Sequence, residues 1–224
     1  FSELPDAARA RILTHHFSCE VFANINDAAV LEIFSRMNSN SVPLNKQELR
    51  NGRYFGQFKS SCYQLALEHL EFWRRNRIFT EQAIARMLEV ELTSELVVML
   101  IAGLQDKKAS IDFFYAEYDE EFEFADEVRD RFRRVIDEIS ETFDESISTT
   151  TFRRPPLFYS LFGAVAHRLF SVPELELASP ERALRLADRR NLRAAVELLT
   201  EQVDAAREDL PIPRRFQAFV NACM

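Results

Sequence analysis

The sequence predicts a mainly α-helical chain, an irregular multi-helix bundle carrying one short β-strand near its N-terminus. Three observations predict it. Gly is 4 and Pro 8 among 224 residues, too few for the tight turns of an all-β sandwich. Apolar residues recur at the 3.6-residue period along most of the chain, most clearly at Val128, Phe132, Val135, Ile136, Ile139 and Phe143. Twenty Phe residues within a 47% hydrophobic composition supply a large aromatic core.

Element by element, Leu4, Ala8 and Ile12 mark a helix over residues 4–14. The period then changes. Phe17, Cys19, Val21, Ala23 and Ile25 alternate with Ser18, Glu20, Phe22 and Asn24, the pattern of a half-buried strand. Asp27 is placed to cap a helix whose stripe is Val30, Ile33, Phe34 and Met37. Asn38-Ser39-Asn40-Ser41, closed by Pro43, ends that helix. Asn45 and Glu48 stand at N-cap and N3 spacing, a capping-box variant that opens another. Gly52 and Gly56 frame a break before a helix through Tyr63, Leu67, Leu70 and Trp73. Thr80 caps a helix bearing Ile84, Met87, Leu88 and Leu92; Leu96 to Ala102, apolar all round, reads as the most deeply buried segment. After the amphipathic helix at 125–143, residues 144–156 read as a loop and 157–171 as an apolar helix. Ser179-Pro180 opens a helical stretch to about 207, with Asn191 as a candidate break, and a short last helix begins after Pro213.

The formal charge is −8, from 28 bases and 36 acids, which excludes a globally basic nucleic-acid binder. Cys19, Cys62 and Cys223 are odd in number and far apart. Neither a disulfide framework nor a zinc knuckle is expected, and a reducing cytoplasm is the expected setting. The longest strongly apolar run, Leu96 to Ala102, falls far short of the roughly 20 residues of a membrane span, so no membrane partner is expected. A lone strand cannot satisfy its own backbone groups. Its sheet is therefore expected upstream of Phe1 or on another chain, with residues 1–26 closing an upstream domain and 27–224 forming a helical domain. Residues 144–156 are the candidate subdivision of the latter, and an open strand edge invites oligomerisation.

Ile33-Phe34-Ser35-Arg36-Met37-Asn38, followed by Val42-Pro43-Leu44-Asn45-Lys46-Gln47-Glu48-Leu49-Arg50-Asn51, resembles the helix and loop of the ParB-like GmrS family, the N-terminal half of GmrSD modification-dependent restriction systems. The resemblance covers residues 17 to 51. One position departs from the family pattern: its Gly pair aligns with Asn40-Ser41, where Asn still tolerates a positive φ. The resemblance implies an upstream ParB-like α/β domain, of which the strand would be a remnant. An Asp-Gly-Gln-Gln-Arg motif in that domain supports nucleotide hydrolysis. It also implies restriction of phage DNA by a nuclease domain or subunit, with a nucleoside triphosphate and a divalent metal as cofactors of the intact protein. The Asp-Gly-Gln-Gln-Arg motif and any nuclease signature are absent from these 224 residues, so no complete active site, no cofactor and no metal site are expected within them.

Arg36, Asn38 and Asn40 are the candidate edge of a nucleotide pocket. Arg36 suits bidentate phosphate binding; the competing reading pairs it with Glu48 or a helix C-terminus, Asn38 ending the helix. Phe34, Pro43, Leu44, Glu48 and Arg50 read as the structural motif, Glu48 completing the cap and Arg50 anchoring the turn. Arg182, Arg185, Arg189 and Arg193 would form a basic stripe on one unbroken helix and could track DNA phosphates, unless Glu181, Asp188 and Glu197 neutralise it. Arg153-Arg154 is a shorter site of the same kind. His15 and His16 match no zinc spacing, His69 reads as partly buried, and His167 as solvated. Seven carboxylates between Glu117 and Glu127 lack the EF-hand order. These readings leave two function classes: the helical portion of a GmrS-like nucleotide-dependent phage-defence protein, and a non-catalytic helical protein–protein interaction module.

Overall fold

The computed structural model describes residues 4–16, 19, 21, 26, 29–30, 33, 43–105, 109–144, 146–173, 175 and 184–206. The chain divides into two compact units, Phe1–Leu44 and Asn45–Met224. Residues 144–156 lie inside the second unit. Among the described residues there are ten α-helices, two 3-10 turns and no β-strand. The strand expected over 17–25 lies outside the described residues except for Cys19 and Val21, both exposed.

In the first unit, α1 (Asp6–Leu13) closes with the Thr14 hydroxyl donating to the Ala10 carbonyl at 2.8 Å. Further on, Ala29 N–H donates to the Asn26 side chain at 2.9 Å, so Asn26, one residue before Asp27, takes the capping role.

The second unit opens with α2 (Lys46–Arg53), which passes through Gly52 without a break. Gly56 is the cap of α3 (Gln57–Glu68). A Cβ there would lie 1.5 Å from the Asp119 carbonyl oxygen, so only glycine admits this approach. The expected helix through Trp73 is split at His69 into α3 and α4 (Leu70–Arg75). Next come α5 (Glu81–Ala85), with the Thr80 hydroxyl accepting from Ala83 N–H, and α6 (Leu88–Ala102). These two replace one expected helix because Met87 sits in the left-handed region at φ 60, which no helix continues through. The chain goes on through α7 (Ala109–Glu117), α8 (Ala125–Phe143), 3-10 turns at Ser146–Thr149 and Thr151–Arg153, α9 (Pro155–Phe170) and α10 (Leu186–Ala206). Asn191 does not break α10.

The core is the mutual packing of α3, α6, α8 and α9, with α7 and α2 laid on α6 and α10 on α8. The six apolar residues read from the period of α8 are all buried. Leu96, Val97, Val98 and Met99 of α6 are fully enclosed, as a segment apolar on every side requires. Phe58, Trp73, Phe132, Phe158 and Phe162 are completely buried, each contributing ~1.5–3 kcal/mol of transfer free energy. Edge-to-face pairs such as Trp73–Phe158, centroids 5.4 Å apart, add ~0.5–1.5 kcal/mol each. The 144–156 stretch is ordered by Ile147 and Phe152, both buried. No helix among the described residues is long and apolar enough to cross a membrane.

His167 is not solvated. It is 8% exposed and its Nδ1 accepts the Val172 N–H at 3.1 Å, closing the end of α9. The reason is that α9 is covered on more than one side, by α8, by α6 and by the second 3-10 turn. Its polar face with Ser160 and Gly163 is therefore buried as well. Burial lowers the His167 pKa from 6.5, so the imidazole is neutral, as an acceptor at Nδ1 must be.

Candidate functional site

The candidate site is the polar cluster around α2, the helix that carries Gln47-Glu48-Leu49-Arg50. It begins with a complete capping box. Glu48 N–H donates to the Asn45 side-chain oxygen at 2.8 Å and Asn45 N–H donates to Glu48 Oε2 at 2.7 Å. The Asn45 amide then reaches the Arg86 carbonyl at 2.7 Å. Arg86 returns the contact, its Nε and Nη2 donating to Glu48 Oε1 and Oε2, each at 2.8 Å. This two-pronged fork is the strong form of a charge-assisted pair. It holds the Glu48 carboxyl below its ordinary pKa of 4.5; burial opposes the shift and the Asn45 N–H reinforces it.

One turn further on, Arg50 is 2% exposed. Its Nε donates to Asp112 Oδ1 on α7 at 2.6 Å. Nη1 reaches Gln47 Oε1 at 3.3 Å and Glu91 Oε1 on α6 at 3.4 Å, while Nη2 is buried without a partner. Gln47, fully buried, donates from Nε2 to the Tyr115 hydroxyl at 2.8 Å. That hydroxyl lies 2.9 Å from Ser94 Oγ, which donates to the Val90 carbonyl at 2.8 Å. Ser94 has one proton and the Val90 carbonyl takes it, so Tyr115 O–H donates to Ser94. The cluster is thus a one-way relay: Arg50 to Gln47 to Tyr115 to Ser94 to the α6 backbone. Each link polarises the next.

Burial pushes the neighbouring Cys62 thiol up to about 12 and the Tyr115 phenol well above its ordinary range, so both stay protonated at neutral pH. What the arrangement does is mechanical. It ties α2 to the turn between α5 and α6 through Arg86, and to α6 and α7 through Arg50 and a hydroxyl chain.

Glu48 and Arg50 therefore sit on one helix, Glu48 in the fork with Arg86 and Arg50 in the buried cluster with Gln47, Glu91 and Asp112. Pro43 is exposed and Leu44 half-buried; Phe34, Arg36, Asn38 and Asn40 lie outside the described residues. Gln47, Glu91, Ser94, Asp112 and Tyr115 belong to the cluster without being expected from the sequence. Gln47 was within reach of sequence reasoning as the motif residue three before Arg50. The others join from 41 to 68 positions away, with no local signal.

The basic stripe divides. Arg182 lies outside the described residues, and Arg185 is exposed, its N–H donating to Asp188 Oδ2 at 3.2 Å. Arg189 bridges to Glu138 and Glu141 at 2.7 and 2.5 Å, and Arg193 Nε donates to the Thr142 carbonyl. Those two therefore contact α8. Arg153 and Arg154 are exposed, and so are His15 and His16. His69 Nδ1–H donates to the Leu65 carbonyl at 2.8 Å. Of the aromatics in and just before the acidic stretch, Tyr115, Tyr118 and Phe122 close around Phe58 with centroids 5.1, 6.1 and 5.4 Å from it, while Phe124 is exposed. Among the described residues no group of three or more His, Cys, Asp or Glu is arranged to hold a metal ion. No protein-family model, curated protein or solved structure matches the chain.

Proposed function

We propose that the chain is the helical portion of a GmrS-like, nucleotide-dependent DNA-restriction protein, in which it supports a nucleotide-hydrolysing domain and relays its state. The observation that carries this reading is the double anchoring of the Gln47-Glu48-Leu49-Arg50 helix by the Glu48–Arg86 fork and the Arg50 cluster. The anchoring holds the second half of the motif firmly within the second unit, and in this reading Arg36, Asn38 and Asn40 of its first half edge the nucleotide pocket. Arg36 supplies the bidentate contact in this reading; nucleotide, DNA and a nuclease are the partners. The test is Arg36→Ala in the natural gene context, scored by nucleotide turnover, phage plaque counts and thermal melting. Loss of turnover and of protection with an unchanged melt supports the proposal; unchanged turnover and protection refute it.

The exposure of Phe55, Phe113 and Phe124 favours a second reading, a helical protein–protein interaction module. An Asp-Gly-Gln-Gln-Arg motif encoded about a hundred residues upstream, a typical domain length away, would favour the first reading over it.

A further inference from the structure

The second unit carries a groove that the motif cluster does not use. Its volume is about 450 Å³, and its lining includes Phe55, Phe122, Asp119, Glu120, Glu123 and Asp126. The walls are built before any ligand arrives. Asp119 Oδ1 accepts the N–H groups of Phe55 and Gly56 at 3.1 and 2.7 Å. Gln57 N–H donates to the Asp119 carbonyl at 3.2 Å, and Phe122 N–H donates to Gln57 Oε1 at 3.1 Å. Loop 54–57 is thereby stitched to loop 118–122 across the contact that Gly56 alone permits.

Phe55 is 77% exposed on this rigid rim, its ring beneath Lys59 Nζ at 4.8 Å. The two cations near the groove are occupied: Lys59 Nζ donates to the Asn51 carbonyl at 2.7 Å, and Arg129 pairs with Asp126 and Gln64. Asp119 is taken up by backbone donors. Glu120 and Glu123 are exposed and have no cationic partner among the described residues. The groove thus offers an aromatic surface flanked by two uncompensated carboxylates, on a chain of charge −8.

We propose that this groove docks a basic polypeptide segment, one whose apolar side chain lies on Phe55 and whose Lys or Arg side chains meet Glu120 and Glu123. Charge complementarity selects this occupant. Nucleic acid is repelled by the rim, and a second copy of this acidic chain is disfavoured for the same reason. The groove accepts a peptide whether or not a nucleotide-hydrolysing domain accompanies the chain, so its test is independent of the reading above.

The test is fluorescence anisotropy of the full chain at low salt with a labelled Arg-Leu-Arg-Leu-Arg-Gly peptide, and with Glu-Leu-Glu-Leu-Glu-Gly as its charge-reversed partner. The basic peptide is expected to bind with an affinity that falls as salt rises, and the acidic one not to bind. The Glu120→Gln/Glu123→Gln double variant is expected to weaken binding about fivefold, as two exposed ion pairs would. Phe55→Ser is expected to weaken it further. All three positions are exposed, and an unchanged circular dichroism melt separates lost binding from lost folding. Absence of basic-peptide binding, binding insensitive to these variants, equal binding of the acidic peptide, or displacement by spermidine at matching concentration would each overturn the proposal.

Discussion

Replacing Arg50 by Met tests the energetic logic of the α2 cluster. The perturbation keeps the apolar stem and removes the charge. Asp112, with its side chain 52% exposed, rehydrates, so losing its partner costs about 1 kcal/mol. Gln47 is fully buried, and its carbonyl oxygen loses a donor, at about 1–2 kcal/mol. Against these stands a gain: Nη2, buried without a partner, no longer has to be desolvated, which returns about 1 kcal/mol. The expected net cost is about 1.5 kcal/mol, a fall in urea midpoint of roughly 0.6 M for a chain of this size. Arg50→Ala also forfeits the stem, at about 0.8 kcal/mol per methylene, and is expected to cost about 4 kcal/mol. Adding Gln47→Leu to Arg50→Met removes the stranded carbonyl and is expected to recover part of the loss, because replacing both partners of a buried polar pair is far cheaper than replacing one. Urea unfolding followed by far-UV circular dichroism reads all three. Arg50→Met as damaging as Arg50→Ala, or a double variant weaker than Arg50→Met alone, would refute the reasoning.

Gly56→Ala drives a Cβ into the Asp119 backbone, 1.5 Å from its carbonyl oxygen, and must part the two loops. A loss of at least about 2 kcal/mol is expected in the same unfolding assay, without a change in helix content. The Glu48 carboxyl has a folded pKa below 4.5, so the stability of its fork is complete above that value and disappears as pH falls through the folded pKa. The stability gap between wild type and Arg86→Gln is accordingly expected to close as unfolding is measured at pH values progressively below 4.5. His167 has a folded pKa below 6.5; the unfolded chain therefore takes up a proton first, and stability declines as pH drops beneath 6.5. His167→Gln is expected to flatten that decline below pH 6.5, and a slope equal to wild type would reject the assignment.

Features encoded by neighbours along the chain were legible. The Asn45–Glu48 box and the boundaries of α8 come from spacings of three and four residues, and both stand in the structure where those spacings put them. Breaks made without Gly or Pro were not. Met87 adopts φ 60 although nothing around it marks a turn, and His69 divides two helices that share one apolar stripe. His167 escaped because periodicity assumes a helix with one wet side, and α9 is packed on several. In the candidate site, Glu48 was readable as a capping residue and Arg50 as an anchor. The acceptors of Arg50 on α6 and α7 were not, because tertiary packing alone brings residues 41 and 62 positions away to it.

The relay from Arg50 to the Val90 carbonyl assigns a direction to every proton along it. A substitution at one link does more than delete a contact, since it leaves a donor facing a donor or an acceptor facing an acceptor at the next. Drift at positions 47, 94 and 115 is therefore coupled. Descendants of this chain are expected to change those three side chains in concert, or to keep all of them.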